Sequence, residues 1–339
     1  MSEVIAHVTR GDLVESKHRG SIAVVDLKGN ILAYVGDPYE VTYFRSAAKP
    51  IQALPVVESG AFDKYGLSLK ELAVICASHA GEKEHTDTVE SILKKLGFEE
   101  AALKCGVGEP IYKPRLQELY STGEKPTQLH FQCSGKHSGM LAVAKKEGYS
   151  LEDYFKAEHP VQQMMLKAVA DMAEMKPEDI VLAVDGCGVP VFGMPLNKMA
   201  LCYAKLSDPS GLGEKRREAA TKITTAMTSY PKMVGGTRQF DSILMENTEG
   251  RLVCKIGAEG IFCIGVMGNG IGIALKIEDG SYRAYGPCII HTLKQLNILD
   301  EKIEERLKKY YPRPVKNNLR DVVGEIRAVF ELKKVYEQK

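Results

Sequence analysis

The sequence lacks tryptophan, a strong net charge and any long apolar run, and each absence narrows the range of functions. Its 339 residues carry a formal net charge of +1, so no broad electrostatic field is available to attract nucleic acid or anionic lipid. No stretch approaches the ~20 consecutive apolar residues that span a bilayer. With 44% hydrophobic and 26% charged residues, the composition is typical of a globular enzyme that binds a small molecule.

The N-terminal stretch, MSEVIAHVTRGDLVES, also lacks the basic segment and apolar run of a secretory signal peptide. We therefore expect a cytoplasmic protein, in which thiols are kept reduced. Eight cysteines are then better interpreted as buried small hydrophobes, metal ligands or reactive thiols than as disulfides.

Alternating apolar patterns predict β-strands near both ends of the chain, each end having a Gly-Asn turn of the hairpin type. The predicted strands cover residues 4–9, 21–27, 31–35, 252–256, 260–266 and 270–278. Helical spacing dominates the middle, where Ser68 followed three residues later by Glu71 indicates a capping box. A short buried strand is predicted at 182–184, and a charged helical tail after Asp300.

These elements predict an α+β fold in a single domain over residues 1–339. One antiparallel sheet would be assembled from about 1–45 and 250–285. A helical lobe over about 50–235 would pack against it, and the cleft between the two layers is the natural place for an active site.

The segment Arg45-Ser46-Ala47-Ala48-Lys49-Pro50 places a serine three residues before a lysine. On a helix their Cβ atoms would lie about 5–6 Å apart on one face. A buried lysine loses its proton more readily, and the neutral amine can then accept the proton of the serine hydroxyl. Because Pro50 disfavours a helix that continues through Ser46, we expect the helix to begin near Lys49. This short spacing also occurs by chance.

A second segment, Cys76-Ala77-Ser78-His79-Ala80-Gly81-Glu82, delivers a serine, a histidine and a carboxylate into one loop. Ser78 and His79 are adjacent, so their side chains diverge and do not suit a nucleophile and its base. A helix cap at Ser78 is an equally good interpretation.

Two cysteines, Cys133 and Cys187, stand in glycine-rich segments that also contain Lys136 and His137. Thiolates with a nitrogen donor suit zinc. The sequence has no C-x-x-C pair here, so two buried structural cysteines remain the alternative.

Two further glycine-rich turns carry a basic residue each. Lys255 precedes the turn Gly257-Ala258-Glu259-Gly260, where it is either an active-site lysine or an exposed lysine at a strand end. Arg238, after Gly235-Gly236-Thr237, either clamps a carboxylate or simply belongs to a loop.

Together these segments resemble the L-asparaginase II family, the zinc-containing bacterial type, and they follow the family order over nearly the whole chain. The matching pieces are R-S-A-A-K-P at 45–50, C-A-S-H-A-G-E at 76–82, C-G-x-G at 105–108, C-S-G-K-H-S-G-M at 133–140, D-G-C-G-V-P at 185–190, G-G-T-R at 235–238 and K-x-G-A-E-G at 255–260.

The resemblance implies two Ser–Lys pairs. Ser46 and Lys49 would be the nucleophile and its base, and Ser78 with Lys255 would relay protons or polarise the hydroxyl. It also implies a homodimer and an architecture similar to that of serine glutaminases and β-lactamases.

The resemblance further implies a Zn²⁺ ion held by Cys133, Lys136 and Cys187. A lysine must be neutral to bind a metal, so zinc affinity should fall as the pH drops. The implied substrate-binding residues are Arg45, Asp185, His137, Arg238 and Glu259.

The implied reaction is hydrolysis of L-asparagine to ammonia and L-aspartate through an acyl-enzyme. Two alternatives remain open from the residues alone. One is a serine hydrolase acting on another amide, such as glutamine, a peptide or a β-lactam. The other is a non-catalytic protein that binds zinc or an amino acid.

Overall fold

The computed structural model describes residues 1–335, which form a mixed structure of strands and helices. The strands are β1 (Glu3–Arg10), β2 (Leu13–Val25), β3 (Ile31–Val35), β4 (Val41–Tyr43), β5 (Val181–Val184), β6 (Pro190–Pro195), β7 (Leu252–Gly257), β8 (Ile261–Val266), β9 (Ile271–Ile277), β10 (Arg313–Lys316), β11 (Val322–Ala328) and β12 (Lys333–Lys334). The α-helices are α1 (Lys49–Gln52), α2 (Leu54–Glu58), α3 (Ala61–Lys64), α4 (Leu69–Ile75), α5 (Lys83–Leu96), α6 (Lys113–Ser121), α7 (Ser134–Glu147), α8 (Pro160–Ala173), α9 (Leu196–Ser207), α10 (Glu214–Ser229), α11 (Pro231–Val234), α12 (Phe240–Asn247), α13 (Tyr285–Gln295) and α14 (Glu301–Leu307). Over these described residues, no helix combines the length and the apolarity needed to cross a membrane.

The larger sheet joins the two ends of the chain. Its strand order is β10-β11-β1-β2-β9-β8-β7, while β3 pairs with both β2 and β12, and every pairing is antiparallel. Strand β2 links the two halves, because it pairs with β1 along its first part and with β9 from Gly20 to Val25. The predicted α+β class, with an antiparallel sheet built from N- and C-terminal strands, is confirmed.

The segment after Asp300 differs from the prediction. A helix does form as α14, but the chain then returns as three strands, and β11 pairs with β1 at the edge region of the sheet. The expectation of a helical tail was therefore wrong beyond residue 307. The charged composition misled it, because strands near a sheet edge face solvent and commonly carry charged side chains.

Helices cover the sheet and build a lobe beside it. Helix α9 packs on β2, β8 and β9, and the lobe is centred on contacts of α4 with α5, α7 and α10. The capping box predicted at Ser68 and Glu71 is present at the start of α4. Helix α7 approaches α4 very closely, since a Cβ on Gly135 would stand only 2.0 Å from the Val74 carbonyl oxygen.

A small second sheet has the order β4-β6-β5. The strand predicted at 182–184 is present as β5, but its predicted burial was wrong, because all four residues are exposed. Strand β5 is an edge strand of a narrow sheet, so its apolar side chains lack a covering layer. The segments that follow β4 and β5 line the cavity described next.

Candidate active site

A cavity of about 310 Å³ lies where the end of β7, the N-terminus of α7 and the segments following β4, α4 and β5 converge. Its volume is at the lower end of the range for small-molecule sites. Six residues singled out from the sequence line it, namely Arg45, Ser46, Ser78, Cys133, Asp185 and Cys187.

The turn that carries Ser46 has an unusual backbone. Arg45 begins a 3₁₀ turn, Arg45–Ala48, with φ of +49°, a left-handed conformation that non-glycine residues rarely adopt. Its guanidinium holds Asp185, with Nη2 and Nε lying 3.1 and 3.2 Å from Oδ1. Helix α1 begins at Lys49, so the predicted junction between strand and helix is confirmed.

The side chain of Lys49 reaches Ser78 rather than Ser46. Its Nζ donates to Ser78 Oγ at 2.9 Å and to the Ala77 carbonyl at 2.6 Å, and it lies 3.2 Å from Cys133 Sγ. Between residues 1 and 335, no hydrogen bond joins Lys49 Nζ to Ser46 Oγ. The predicted Ser46–Lys49 pairing is therefore replaced by a Ser78–Lys49 contact in this structure, because the serine belongs to the 3₁₀ turn and the lysine to the following buried helix.

Lys255 also has a partner other than the predicted one. Its Nζ lies 3.1 Å from Asp241 Oδ2, and both side chains are completely buried. The same carboxylate accepts the backbone N–H groups of Ile256 and Ser242 at 3.1 and 2.9 Å. The predicted contact of Lys255 with Ser78 is not seen among the described residues, because the ammonium is neutralised inside the protein by a carboxylate that no motif contains.

Asp241 is thus the site residue that the sequence motifs missed. It lies in the first turn of α12 and meets Lys255 from 14 positions away, so no local spacing announces the contact. The preceding turn is shaped to receive it, since a Cβ on Gly235 would stand 2.4 Å from Asp241 Oδ1. In the sequence, the glycines of the G-G-T-R segment were the one hint that another group approaches the chain closely here.

The two cavity cysteines affect each other's pKa. Their mutual interaction is the main reason that the pKa of Cys187 falls, and it also raises that of Cys133. Lys136 Nζ lies 3.1 Å from Cys187 Sγ. Burial alone would lower the pKa of Lys136, but the neighbouring Cys187, Cys133 and Asp185 together outweigh it and raise the pKa. Cys187 is therefore the cysteine that loses its proton more readily, and the Lys136 amine lies beside it.

Lys49 is electrostatically different from the other two lysines. Burial lowers the pKa of its ammonium, and the charges of Lys136 and Lys255 add to that effect. Cys133 opposes it through its coulombic interaction. A lysine in this environment releases its proton more easily than one in water.

The donor set fits a zinc ion only if Lys136 is one of the ligands. Within the described residues, no group of three or more His, Cys, Asp and Glu side chains is arranged to hold a metal. Cys133, Cys187 and Lys136 are nevertheless together, and sulfur with nitrogen is the chemistry that zinc prefers. His137 stands behind them, with Nδ1 2.7 Å from the Tyr154 hydroxyl and Nε2 buried without a hydrogen-bond partner in residues 1–335.

The remaining predicted residues lie farther out or serve the scaffold. Arg238 lines a neighbouring cavity, and Glu259 lies exposed in the turn between β7 and β8 with φ of +58°. His79 is fully buried, and its Nε2 is 2.8 Å from Ser134 Oγ. Burial holds the pKa of His79 well below its usual range, so this histidine is neutral and supports the loop.

Comparisons with known proteins give one informative match. The chain matches the family model described as L-asparaginase II over residues 6–328. A solved β-lactamase from Mycobacterium bovis has a TM-score of 0.42 at 12% identity, covering 86% of this chain and 94% of its own. A candidate β-lactamase from Bacteroides dorei gives a TM-score of 0.42 at 12% identity, covering 81% and 93%. Structural similarity at this level carries no information about what this chain converts.

No curated protein matches the chain. The family match, in contrast, includes every segment from which the cavity is built, from Arg45 to Tyr282. The chain belongs to the L-asparaginase II family.

Proposed function

We propose that this protein hydrolyses the side-chain amide of L-asparagine, releasing ammonia and L-aspartate through an acyl-enzyme on serine. The observation that carries the proposal is the buried Lys49 amine, which lies 2.9 Å from Oγ of Ser78, a residue that lines the cavity, in a chain of this family. An amine beside a hydroxyl is the minimum needed to activate a serine nucleophile.

The anionic partners of the buried lysines support Lys49 as the base. The buried lysines next to the cavity are Lys49, Lys136 and Lys255, and they have two anionic partners. Asp241 neutralises Lys255, and the Cys187 thiolate neutralises Lys136. Lys49 is left with two carbonyls, a hydroxyl and the sulfur of Cys133, and has no carboxylate partner to hold it as an ammonium.

The charges that line the cavity suit an amino acid. Arg45 and Asp185 form an ion pair with side chains that are 26% and 11% exposed, so both can still meet a ligand. The α-carboxylate of asparagine would bind Arg45, and its α-ammonium group would bind Asp185. A substrate with both charges then replaces one ion pair by two, which places its amide carbon beside the serines.

The reaction follows from these positions. Ser46 attacks the amide carbon, and its proton passes through the Ser78 hydroxyl to Lys49. The C–N bond breaks as Lys49 returns the proton to the departing ammonia. Water then attacks the ester carbon, and Lys49 accepts a proton from it. The C–O bond to Ser46 breaks as that proton passes back through Ser78 to the Ser46 oxygen, which releases aspartate and restores the neutral amine.

We also propose that Cys133, Lys136 and Cys187 hold a zinc ion. When bound, the ion would supply positive charge that polarises or anchors the substrate. Binding requires Lys136 to lose its proton and both cysteines to be thiolates, so protons are released on binding. The positive charge of the ion would then take the place of the Lys136 ammonium near Lys49.

A homodimer is proposed from the exposed edge strand β5. Val181, Leu182 and Val184 are apolar yet 52%, 41% and 77% exposed, and Asp185 of the cavity follows directly. Apolar side chains clustered on an unpaired edge are typical of an interface. A second copy covering this edge would bury them beside the active site.

The decisive experiment combines turnover with labelling of the nucleophile. Ammonia release from L-asparagine and L-glutamine would be measured for the wild type, Ser46→Ala, Ser78→Ala and Lys49→Met. A diazoketone analogue of asparagine, which alkylates an activated hydroxyl, would be located by peptide mass spectrometry. We expect turnover of asparagine, label on Ser46, and losses on the order of 10²–10⁴ for Lys49→Met.

Two results would contradict parts of the proposal. Label on Ser78 that persists in Ser46→Ala would make Ser78 the nucleophile and remove the relay. Folded wild type that releases ammonia from neither amino acid would refute the asparaginase assignment, and a panel of peptides and β-lactams would then test other amides.

A further inference from the structure

A second cavity, of about 400 Å³, lies beside the candidate active site, and Tyr282 forms part of the wall of both. The two cavities also meet just before α12, because Gln239 lines the first cavity and its neighbour Arg238 lines the second. A molecule that extends out of the first cavity past Tyr282 would therefore reach the second.

The second cavity is strongly cationic. Arg238, Lys309 and Arg313 line it, no carboxylate does, and none of the three forms an ion pair with any residue between 1 and 335. The adjacent Lys308, in contrast, pairs with Glu305. Three unpaired like charges around one cavity repel each other, so an anion placed among them is stabilised.

Aromatic rings form the walls between these cations. Phe240 and Tyr310 contact edge to face with ring centroids 5.7 Å apart, and Tyr282 contacts Tyr285 at 5.4 Å. Lys309 Nζ stands 4.9 Å above the Tyr310 ring. Aromatic rings next to cationic side chains in one cavity fit a planar group that carries a negative charge.

We propose that this second cavity binds a small anion with a planar ring. The anion is either the distal part of an amide substrate larger than asparagine or a separate ligand beside the active site. The first source rests on the proposed amidohydrolase function, whereas binding itself does not.

Calorimetric titration with adenosine monophosphate, a planar anion, tests the binding, with uncharged adenosine as the matched probe. At low ionic strength we expect the monophosphate to bind at least tenfold more tightly than adenosine. Lys309→Gln and Arg313→Gln should each weaken it about threefold, since exposed charges contribute modestly. Lys308→Gln, on the same turn but already paired, should leave it unchanged.

Turnover distinguishes the two sources. Two substrates would be compared, asparagine with a 4-carboxyphenyl group and asparagine with a phenyl group on its amide nitrogen. If the wild type hydrolyses the charged compound faster, and the double variant Lys309→Gln/Arg313→Gln loses this preference, the second cavity is a substrate subsite. Monophosphate binding that is sensitive to those variants, without such a preference, identifies a separate ligand. Asparagine turnover should be unchanged in both variants.

Absence of monophosphate binding, or binding that the double variant leaves intact, overturns the proposal. A protein that binds the monophosphate as expected but hydrolyses no amide would instead contradict the proposed function alone, so the two failures are distinguishable.

Discussion

The buried pair of Lys255 and Asp241 gives the sharpest test of the site's electrostatics. In Asp241→Asn, the amide can still accept a backbone N–H, but the ammonium loses its counter-charge. Both side chains are 0% exposed and Lys255 Nζ has only a carbonyl, that of Ile256, as its other hydrogen-bond partner. Breaking such a pair by removing one member costs about 3–5 kcal/mol.

The free energy needed to deprotonate the lysine sets an upper limit on this cost, and it agrees with the range above. The lysine can escape by releasing its proton, which at pH 7 costs about 5 kcal/mol for an ordinary lysine. The variant's deficit should then shrink by about 1.4 kcal/mol per pH unit above 7, because the unfolded chain binds the proton that the folded variant lacks. Stability of the variant relative to wild type therefore rises with pH.

Urea unfolding at pH 7 and pH 9 would measure the effect, with Asp87→Asn as the control. Asp87 pairs with Lys83 at 2.8 Å on the surface, where the side chains are 56% and 69% exposed, so its loss should cost less than about 0.5 kcal/mol. Asp241→Asn/Lys255→Met should recover much of the lost stability, since no unpaired charge remains. A cost for Asp241→Asn as small as the control's would refute the buried ion pair.

Three further expectations follow from the same structure. Cys187→Ser should lower zinc to substoichiometric levels by metal analysis, whereas Cys202→Ser, remote from the cluster, should retain it; equal zinc in both would contradict the ligand set. Because burial lowers the pKa of His79, stability should fall by up to about 1.4 kcal/mol per unit as pH drops below ~6.5, and His79→Asn should flatten that slope in urea titrations. Val184→Lys should shift light-scattering mass toward the monomer, and an unchanged dimer would exclude β5 as the interface.

Much of the fold was predictable because the alternation of apolar and polar residues in a strand can be recognised from a few neighbouring residues. The strands at both ends were identified from their period of two, and the capping box at Ser68 was identified from two residues. The small sheet of β4, β5 and β6 shows that such local patterns do not predict burial. Its burial depends on what covers it, and a pattern of Val and Leu at 181–184 is the same whether the strand is internal or at an edge.

The site was predictable as a set of residues but not as a set of contacts. Ser46 and Lys49 are three apart, yet Ser46 belongs to a 3₁₀ turn and the Lys49 amine contacts Ser78 instead. Asp241 stands in no motif, and only the folded chain brings it to Lys255. The roles of the site residues, the zinc ion, the single-domain organisation and the cytoplasmic location stay predictions.

The pairing of charges explains why three buried lysines can occupy one small region. Each would be costly alone, and the protein neutralises two of them through different chemistry, a carboxylate for Lys255 and a thiolate for Lys136. Those two positive groups then disfavour a third charge on Lys49, which lowers its pKa further beyond the effect of burial. Cys133 and Cys187 oppose this effect, but the pKa of Lys49 still falls below that of an ordinary lysine. This direction is what the proposed role of Lys49 as a base requires.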